Sequence, residues 1–239
     1  MNKPERVTST RLGPHPPWWY LLFRLFVRVV GHILFRLRVV GAENIPRGNY
    51  VVIANHLSWV DPFLLVMVLP PEPRLFFIGP LQALNEGWKA WMVRTFDVMI
   101  AFERGAAWIG KEMLKTALLV LREGAVLGLF PEGRLGSREG ELQPLQRGVG
   151  HLVLKSDSPV LPIALSGVQE LYLRKPITVI IGKPFRVATQ GFDRHAEVDA
   201  AVEQITKELR ELIPPYVEHK PIIKLWRRLT YLLDRTPPP

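Results

Sequence analysis

One short stretch of the chain sets an imidazole five residues ahead of a carboxylate: Asn55-His56-Leu57-Ser58-Trp59-Val60-Asp61-Pro62. The run before it, Tyr50-Val51-Val52-Ile53-Ala54, is aromatic and β-branched and reads as a strand; the apolar run after Asp61 reads as a helix. A turn of that length folds back and brings the carboxylate against the ring. The carboxylate then fixes the tautomer, and the other ring nitrogen is free to take a proton from a hydroxyl. Taken singly, each residue has a plainer reading. Asp followed by Pro is a helix N-cap and first-position pair, and a lone histidine is usually structural. As a pair at this spacing, His56 and Asp61 are the candidate catalytic residues.

Two more strand ends carry charge beside glycine. Phe130-Pro131-Glu132-Gly133-Arg134-Leu135-Gly136-Ser137 follows an apolar run at 126–130, and Glu103-Arg104-Gly105 follows one at 98–102. The guanidinium of arginine is a planar fork of donors suited to phosphate, although such turns are as often simply solvated. Gly105-Ala106-Ala107-Trp108-Ile109-Gly110-Lys111 also satisfies the spacing of a nucleotide phosphate loop. Glu112 stands where that loop requires Ser or Thr for magnesium, which argues against nucleotide hydrolysis.

The elements that must position these groups alternate. Strands are predicted near 37–41, 50–54, 75–79, 98–102, 126–130, 160–165 and 177–181. Helices are predicted near 61–69, 81–94, 107–123, 146–156 and 195–213. This pattern predicts a single α/β domain with a mostly parallel mixed sheet flanked by helices, and ligands beyond the carboxyl ends of its strands. The expected organisation is an N-terminal amphipathic arm over 1–40, the α/β domain over 41–215 and a C-terminal basic amphipathic helix over 216–239.

Charge sets the arms apart. The 239 residues carry 31 Lys and Arg against 22 Asp and Glu, a net charge of +9. Residues 1–40 hold seven bases and one acid, residues 216–239 hold five bases and two acids, and 41–215 balance to zero. In the first arm Arg24, Arg28, His32 and Arg36 recur every fourth residue through an apolar stretch from Leu21 to Val40. In the second, Trp226 and its leucines share a helical face, with Arg227 and Arg228 off it. Neither arm spans a bilayer: the longest run free of Asp, Glu, Lys and Arg is 13 residues, and spanning takes about 18 or more. Nor does a secretory signal stand out. The arms fit interfacial helices, with Trp18, Trp19, Trp226, Arg24, Arg28, Arg227 and Arg228 as membrane contacts; the alternative is that they pack on their own domain. A nucleic-acid binder is disfavoured, because its bases would form an exposed polar patch. With no cysteine, disulfides, thiolate metal sites and cysteine nucleophiles are excluded, and the six histidines lack metal-ligand spacing.

The strand-end motifs agree in order with one family. Asn55, His56, Ser58 and Asp61 match Asn-His-x-Ser-x-x-Asp, Arg104 matches a second-motif arginine, Phe130-Pro131-Glu132-Gly133 a third motif, and Val160-Leu161-Pro162-Ile163 an apolar-proline fourth. Over roughly 35–190 the chain therefore resembles the glycerolipid acyltransferases of the 1-acyl-sn-glycerol-3-phosphate acyltransferase type. It departs in having Arg134 directly after Gly133, where that family commonly has Thr-Arg, and in Glu103. The resemblance implies transfer of an acyl group from a coenzyme A or acyl-carrier-protein thioester to a glycerol hydroxyl, with neither metal nor cofactor. It implies His56 as general base, Asp61 orienting it, and Arg104, Glu132, Gly133, Arg134, Asn55 and Ser58 around the acceptor. The expected partners are an anionic membrane surface, the lysophospholipid acceptor and the thioester donor, at the cytoplasmic face of the cell membrane. Glycerol 3-phosphate or another lysophospholipid as acceptor stays open, as does a non-enzymatic basic membrane-binding protein.

Overall fold

The computed structural model describes residues 13–80, 99–102, 111–187 and 193–216. In chain order they form α1 (Trp18–Leu34), β1 (Phe35–Val40), a short 3-10 turn (Ala42–Asn44), β2 (Val51–Ala54), α2 (Asp61–Val68), β3 (Leu75–Pro80) and β4 (Met99–Phe102). There follow α3 (Lys111–Arg122), β5 (Val126–Leu129), α4 (Gly148–Ser156), β6 (Val160–Ser166), β7 (Lys175–Ile181) and α5 (Arg194–Leu212).

Among these residues the strands make one seven-stranded sheet in the order β1-β7-β6-β2-β5-β3-β4. Every pairing is parallel except β6 with β7, so the α/β class and mixed, mostly parallel sheet expected from the sequence are what the chain adopts. The central strands have no exposed face. All four residues of β2 and of β5 are buried, which is why their sequences read as continuous apolar runs rather than as an alternation. Two cores result. Val52 and Ala54 of β2 face one that includes Phe23 and Val27 of α1 and Leu64 and Leu65 of α2. Val51 and Ile53 face the other, with Ala117 of α3, Leu152 of α4 and Ile205 of α5.

That division locates the site. β2 and β5 are parallel neighbours, but α2, which follows β2, lies on one face of the sheet, and α4, which follows β5, lies on the other. Where adjacent connections leave to opposite faces, a crevice opens beyond the strands' carboxyl ends. His56 and Glu132 both sit there.

The N-terminal arm differs from its sequence reading. The helix stops at Leu34, and Phe35 to Val40 pair in register with Lys175 to Ile180 of β7 as an edge strand. Arg36 thus leaves the helical stripe, and the strand expected near 37–41 is present, starting two residues earlier and held by its ladder of hydrogen bonds to β7. α1 is itself attached to the domain. Its Tyr20, Phe23, Val27 and Gly31 are buried, and a Cβ on Gly31 would lie 2.5 Å from Met67 of α2. The buried Arg74 guanidinium stands over Trp19, Tyr20 and Phe76 at 5.2, 5.5 and 4.5 Å. The predicted helix at 81–94, the phosphate-loop lookalike at 105–110 and the C-terminal arm from Val217 onward lie outside the described residues.

The β1 edge closes on a turn that only glycine fits. Gly41 has φ +80°, and a Cβ there would meet the Ile181 carbonyl oxygen at 2.1 Å, the oxygen to which Asn44 donates. Gly41→Ala is expected to cost about 2 kcal/mol or more, seen as a lower urea midpoint with an unchanged slope.

Candidate active site

The site is built around one buried carboxylate. Asp61 is the first residue of α2, and its side chain turns back into the preceding turn instead of capping the helix. The N-cap position belongs to Val60, so the capping role expected of Asp61 is replaced by another. Its Oδ2 accepts the backbone N–H of Leu57 at 2.6 Å, the backbone N–H of Ser58 at 2.8 Å and the Nδ1–H of His56 at 2.8 Å. The carboxylate is fully buried, whereas the His56 side chain keeps 21% of its surface exposed. An acceptor on Nδ1 places the ring proton there and leaves Nε2, on the far side of the ring, as the basic nitrogen.

The ring is held in two further ways. Phe130, just past β5, stacks on it with centroids 4.2 Å apart, and Phe77 of β3 lies parallel to Phe130 at 6.0 Å. The backbone of His56 is gripped at both ends. Its N–H donates to Glu132 Oε1 at 2.7 Å, and its carbonyl accepts the Gly136 N–H at 2.6 Å. Glu132 Oε2 accepts the N–H of Gln143 at 2.8 Å, so one carboxylate ties the histidine turn to both ends of the 132–143 loop. Burial pushes the Glu132 carboxyl above its ordinary value, while the N–H donors of His56 and Gln143 oppose that rise.

The far part of this loop is fastened by a half-buried carboxylate. Glu139 accepts the N–H groups of Gly167 and Gln169 at 3.1 and 2.8 Å, just beyond β6, and its own N–H donates to the Gln169 side chain. Sequence reasoning missed Phe130 as a ring platform and missed Glu139, Gln143 and Gln169 altogether. An aromatic abutting the strand end was a usable signal for the first; nothing local marks the others, whose partners are distant in the chain.

Several residues expected around the acceptor are buried and bonded within the scaffold. Asn55 is buried, donating Nδ2–H to the Leu165 carbonyl at 2.9 Å and accepting the Leu165 N–H at 2.7 Å. Its amide thus carries the β2–β6 ladder one step past Ala54. Ser58 is fully buried and serves Asp61 through its backbone N–H, so its hydroxyl does not face the crevice. Glu132 is buried, with both oxygens occupied as described. Gly133, at φ +67°, makes the bend that lets Arg134 reach solvent, where its Nη2 lies 3.4 Å from Gln143 Oε1. Of the two candidate phosphate ligands, Arg134 is exposed on this loop and Arg104 lies outside the described residues. No three His, Asp or Glu side chains converge as metal ligands among the described residues.

The expected membrane contacts divide similarly. Trp18 is 72% exposed and Arg28 is exposed, but Trp19 is half-buried under Arg74. Arg24 turns inward to backbone carbonyls of α2 rather than outward. Trp226, Arg227 and Arg228 lie outside the described residues.

A family model described as Acyltransferase matches residues 36–166, which contain His56, Asp61, Glu132 and Arg134. A 1-acyl-sn-glycerol-3-phosphate acyltransferase of Bacillus subtilis is 28% identical over 182 residues, covering 72% of this chain and 87% of that protein. The 1-acyl-sn-glycerol-3-phosphate acyltransferase alpha of Homo sapiens is 28% identical over 144 residues, covering 59% of this chain; the match spans about half (49%) of the human protein. Among solved structures, the 1-acyl-sn-glycerophosphate (LPA) acyltransferase PlsC from Thermotoga maritima superposes with a TM-score of 0.63 at 20% identity, over 83% of this chain and 81% of that one. At that identity the likeness is one of fold.

Glu132→Gln replaces one acceptor oxygen with an NH2 facing an N–H donor. The expected cost is about 1–3 kcal/mol in stability, with a parallel fall in acyl transfer. The sign with pH is also set. Because burial raises the folded-state pKa, this carboxyl contributes stability that is present at acid pH and lost as pH rises through that pKa. The stability gap between wild type and Glu132→Gln, read from urea midpoints, should therefore narrow from about pH 4 toward neutrality.

Proposed function

The chain belongs to the acyltransferase family, and on that premise we propose that it moves a fatty acyl group from an acyl thioester to the free hydroxyl of 1-acyl-sn-glycerol-3-phosphate, giving phosphatidic acid. The observation that carries the reading is the 2.8 Å contact between His56 Nδ1 and the buried Asp61 carboxylate, which leaves Nε2 on the other side of a partly exposed ring. Nε2 takes the proton of the acceptor hydroxyl as its oxygen attacks the thioester carbonyl. The tetrahedral adduct then expels the thiolate, which recovers that proton from the imidazolium. Asp61 keeps the ring in the required tautomer and stabilises the transient positive charge. Glu132 and Gly136 hold the His56 backbone, so the ring meets the hydroxyl without reorganising. Arg134 and Arg104 take the acceptor's phosphate. A thioester is already activated, so this chemistry asks for no metal, cofactor or covalent enzyme intermediate. Acyl-CoA and acyl-carrier protein both satisfy the donor role.

The lipid acceptor also makes sense of α1. No helix among the described residues is long and apolar enough to cross a membrane. Yet α1 leaves Leu22, Leu25, Phe26, Val29 and Ile33 between 51% and 65% exposed, with Arg28 beside them. An apolar face flanked by bases supports seating of the protein as a peripheral or monotopic enzyme on an anionic leaflet at the cytoplasmic face, where a lysolipid presents its hydroxyl. In this reading the basic C-terminal arm seats beside it.

His56→Ala is expected to lower free-thiol release from acyl-CoA and lysophosphatidate by about 10²–10⁴-fold. Undiminished turnover in a folded variant overturns the general-base assignment. The product lipid, read by mass spectrometry over a panel that includes glycerol 3-phosphate and other lysophospholipids, identifies the acceptor. Vesicle binding with no transfer to any of them would leave only a membrane-binding protein. Leu22→Asp with Phe26→Asp should abolish sedimentation with anionic vesicles while transfer in detergent micelles persists; retained sedimentation would reject α1 as the seat.

A further inference from the structure

We propose that Arg24 is a positioning residue for the His56–Asp61 pair, acting through α2 rather than through lipid. The inference rests on the catalytic reading above and deepens it. α2 has only eight residues, with Asp61 at its first position, so whatever holds its far end also sets the carboxylate. A helix leaves its last carbonyls without intrahelical partners. Here the chain beyond Leu69 runs Pro70-Pro71-Glu72-Pro73, and three of those four residues have no N–H to offer.

Arg24 supplies the missing donors from another helix. Its Nε donates to the Val66 carbonyl at 3.1 Å, and its Nη2 to the Leu69 carbonyl at 2.8 Å, with the Met67 carbonyl at 3.5 Å. Val66, Met67 and Leu69 are all buried, so water is a poor substitute. The planar fork reaches both carbonyls at once, which a single ammonium does not. Burial and the neighbouring Arg28 also lower the Arg24 pKa, as expected of a guanidinium drawn into the domain. Around this clamp α1 and α2 pack tightly, through Gly31 on Met67 and Phe23 near Phe63 at 6.3 Å. The opposite side of α1 is the exposed apolar face. One helix thereby faces lipid on one side and holds the catalytic helix on the other.

Arg24→Lys separates the two roles, because it keeps the charge and loses the fork. If Arg24 clamps α2, kcat for acyl transfer in detergent micelles falls about tenfold in Arg24→Lys, and further in Arg24→Gln, while acceptor KM and sedimentation with anionic vesicles stay within about twofold of wild type. Backbone hydrogen exchange at 65–69 then accelerates in Arg24→Lys, with the sheet amides unchanged. Normal kcat with unaltered exchange at 65–69 would overturn the proposal. So would lost vesicle binding in Arg24→Gln with kcat retained, the signature of a lipid contact. The exchange measurement needs no substrate, so failure of lysophosphatidate to accept an acyl group counts against the proposed reaction and leaves the clamp tested.

Discussion

The site depends on a single carboxylate oxygen taken out of water. Asp61 Oδ2 accepts three donors, two from the backbone of the turn and one from the His56 ring. A buried carboxylate is costly unless donors surround it, and here the donors come from the segment it must organise. The two backbone bonds close the turn, and the closed turn places the imidazole where the third bond forms. Histidine tautomer, ring direction and turn conformation are therefore one structural fact, and an oriented His–Asp pair results without side chains brought from distant elements.

Around that turn the protein repeats one device, a buried or half-buried carboxylate or amide that accepts backbone donors across a gap. Asn55 extends the β2–β6 ladder, Glu132 joins the histidine turn to the next loop, and Glu139 fastens that loop to the turn after β6. Each replaces hydrogen bonds that regular structure cannot supply where strands end and chains diverge. The division of connections between the two faces of the sheet opens the crevice, and these side chains keep its rims at fixed separations. Arg134 is left exposed on the braced loop, its Nη2 near Gln143.

The chemistry of the site was legible because it is local. His56 and Asp61 lie within one turn, and their spacing alone states how they meet. Phe130-Pro131-Glu132-Gly133-Arg134 announced itself as a strand-end motif, but not which of its charges turns inward. Glu132 and Arg134 look alike in sequence as charged loop residues, and one is buried whereas the other is exposed. Arg24 misled in the same way. Its fourfold spacing with Arg28 and His32 suggests a solvated stripe, and only the position of α2 shows that it caps carbonyls some forty residues away.

Periodicity and contacts within a few residues already encode the alternation of strands and helices, the α/β class and the meeting of His56 with Asp61. Tertiary structure alone decided that the strand read near 37–41 starts at Phe35 and lies at the sheet's edge beside β7. It also decided that Asn55, Ser58 and Glu132 serve the scaffold, and that Glu139 and Arg24 matter at all. Those outcomes turn on which buried backbone groups lack partners once the layers are packed, and that is a property of the assembled fold rather than of any stretch of chain.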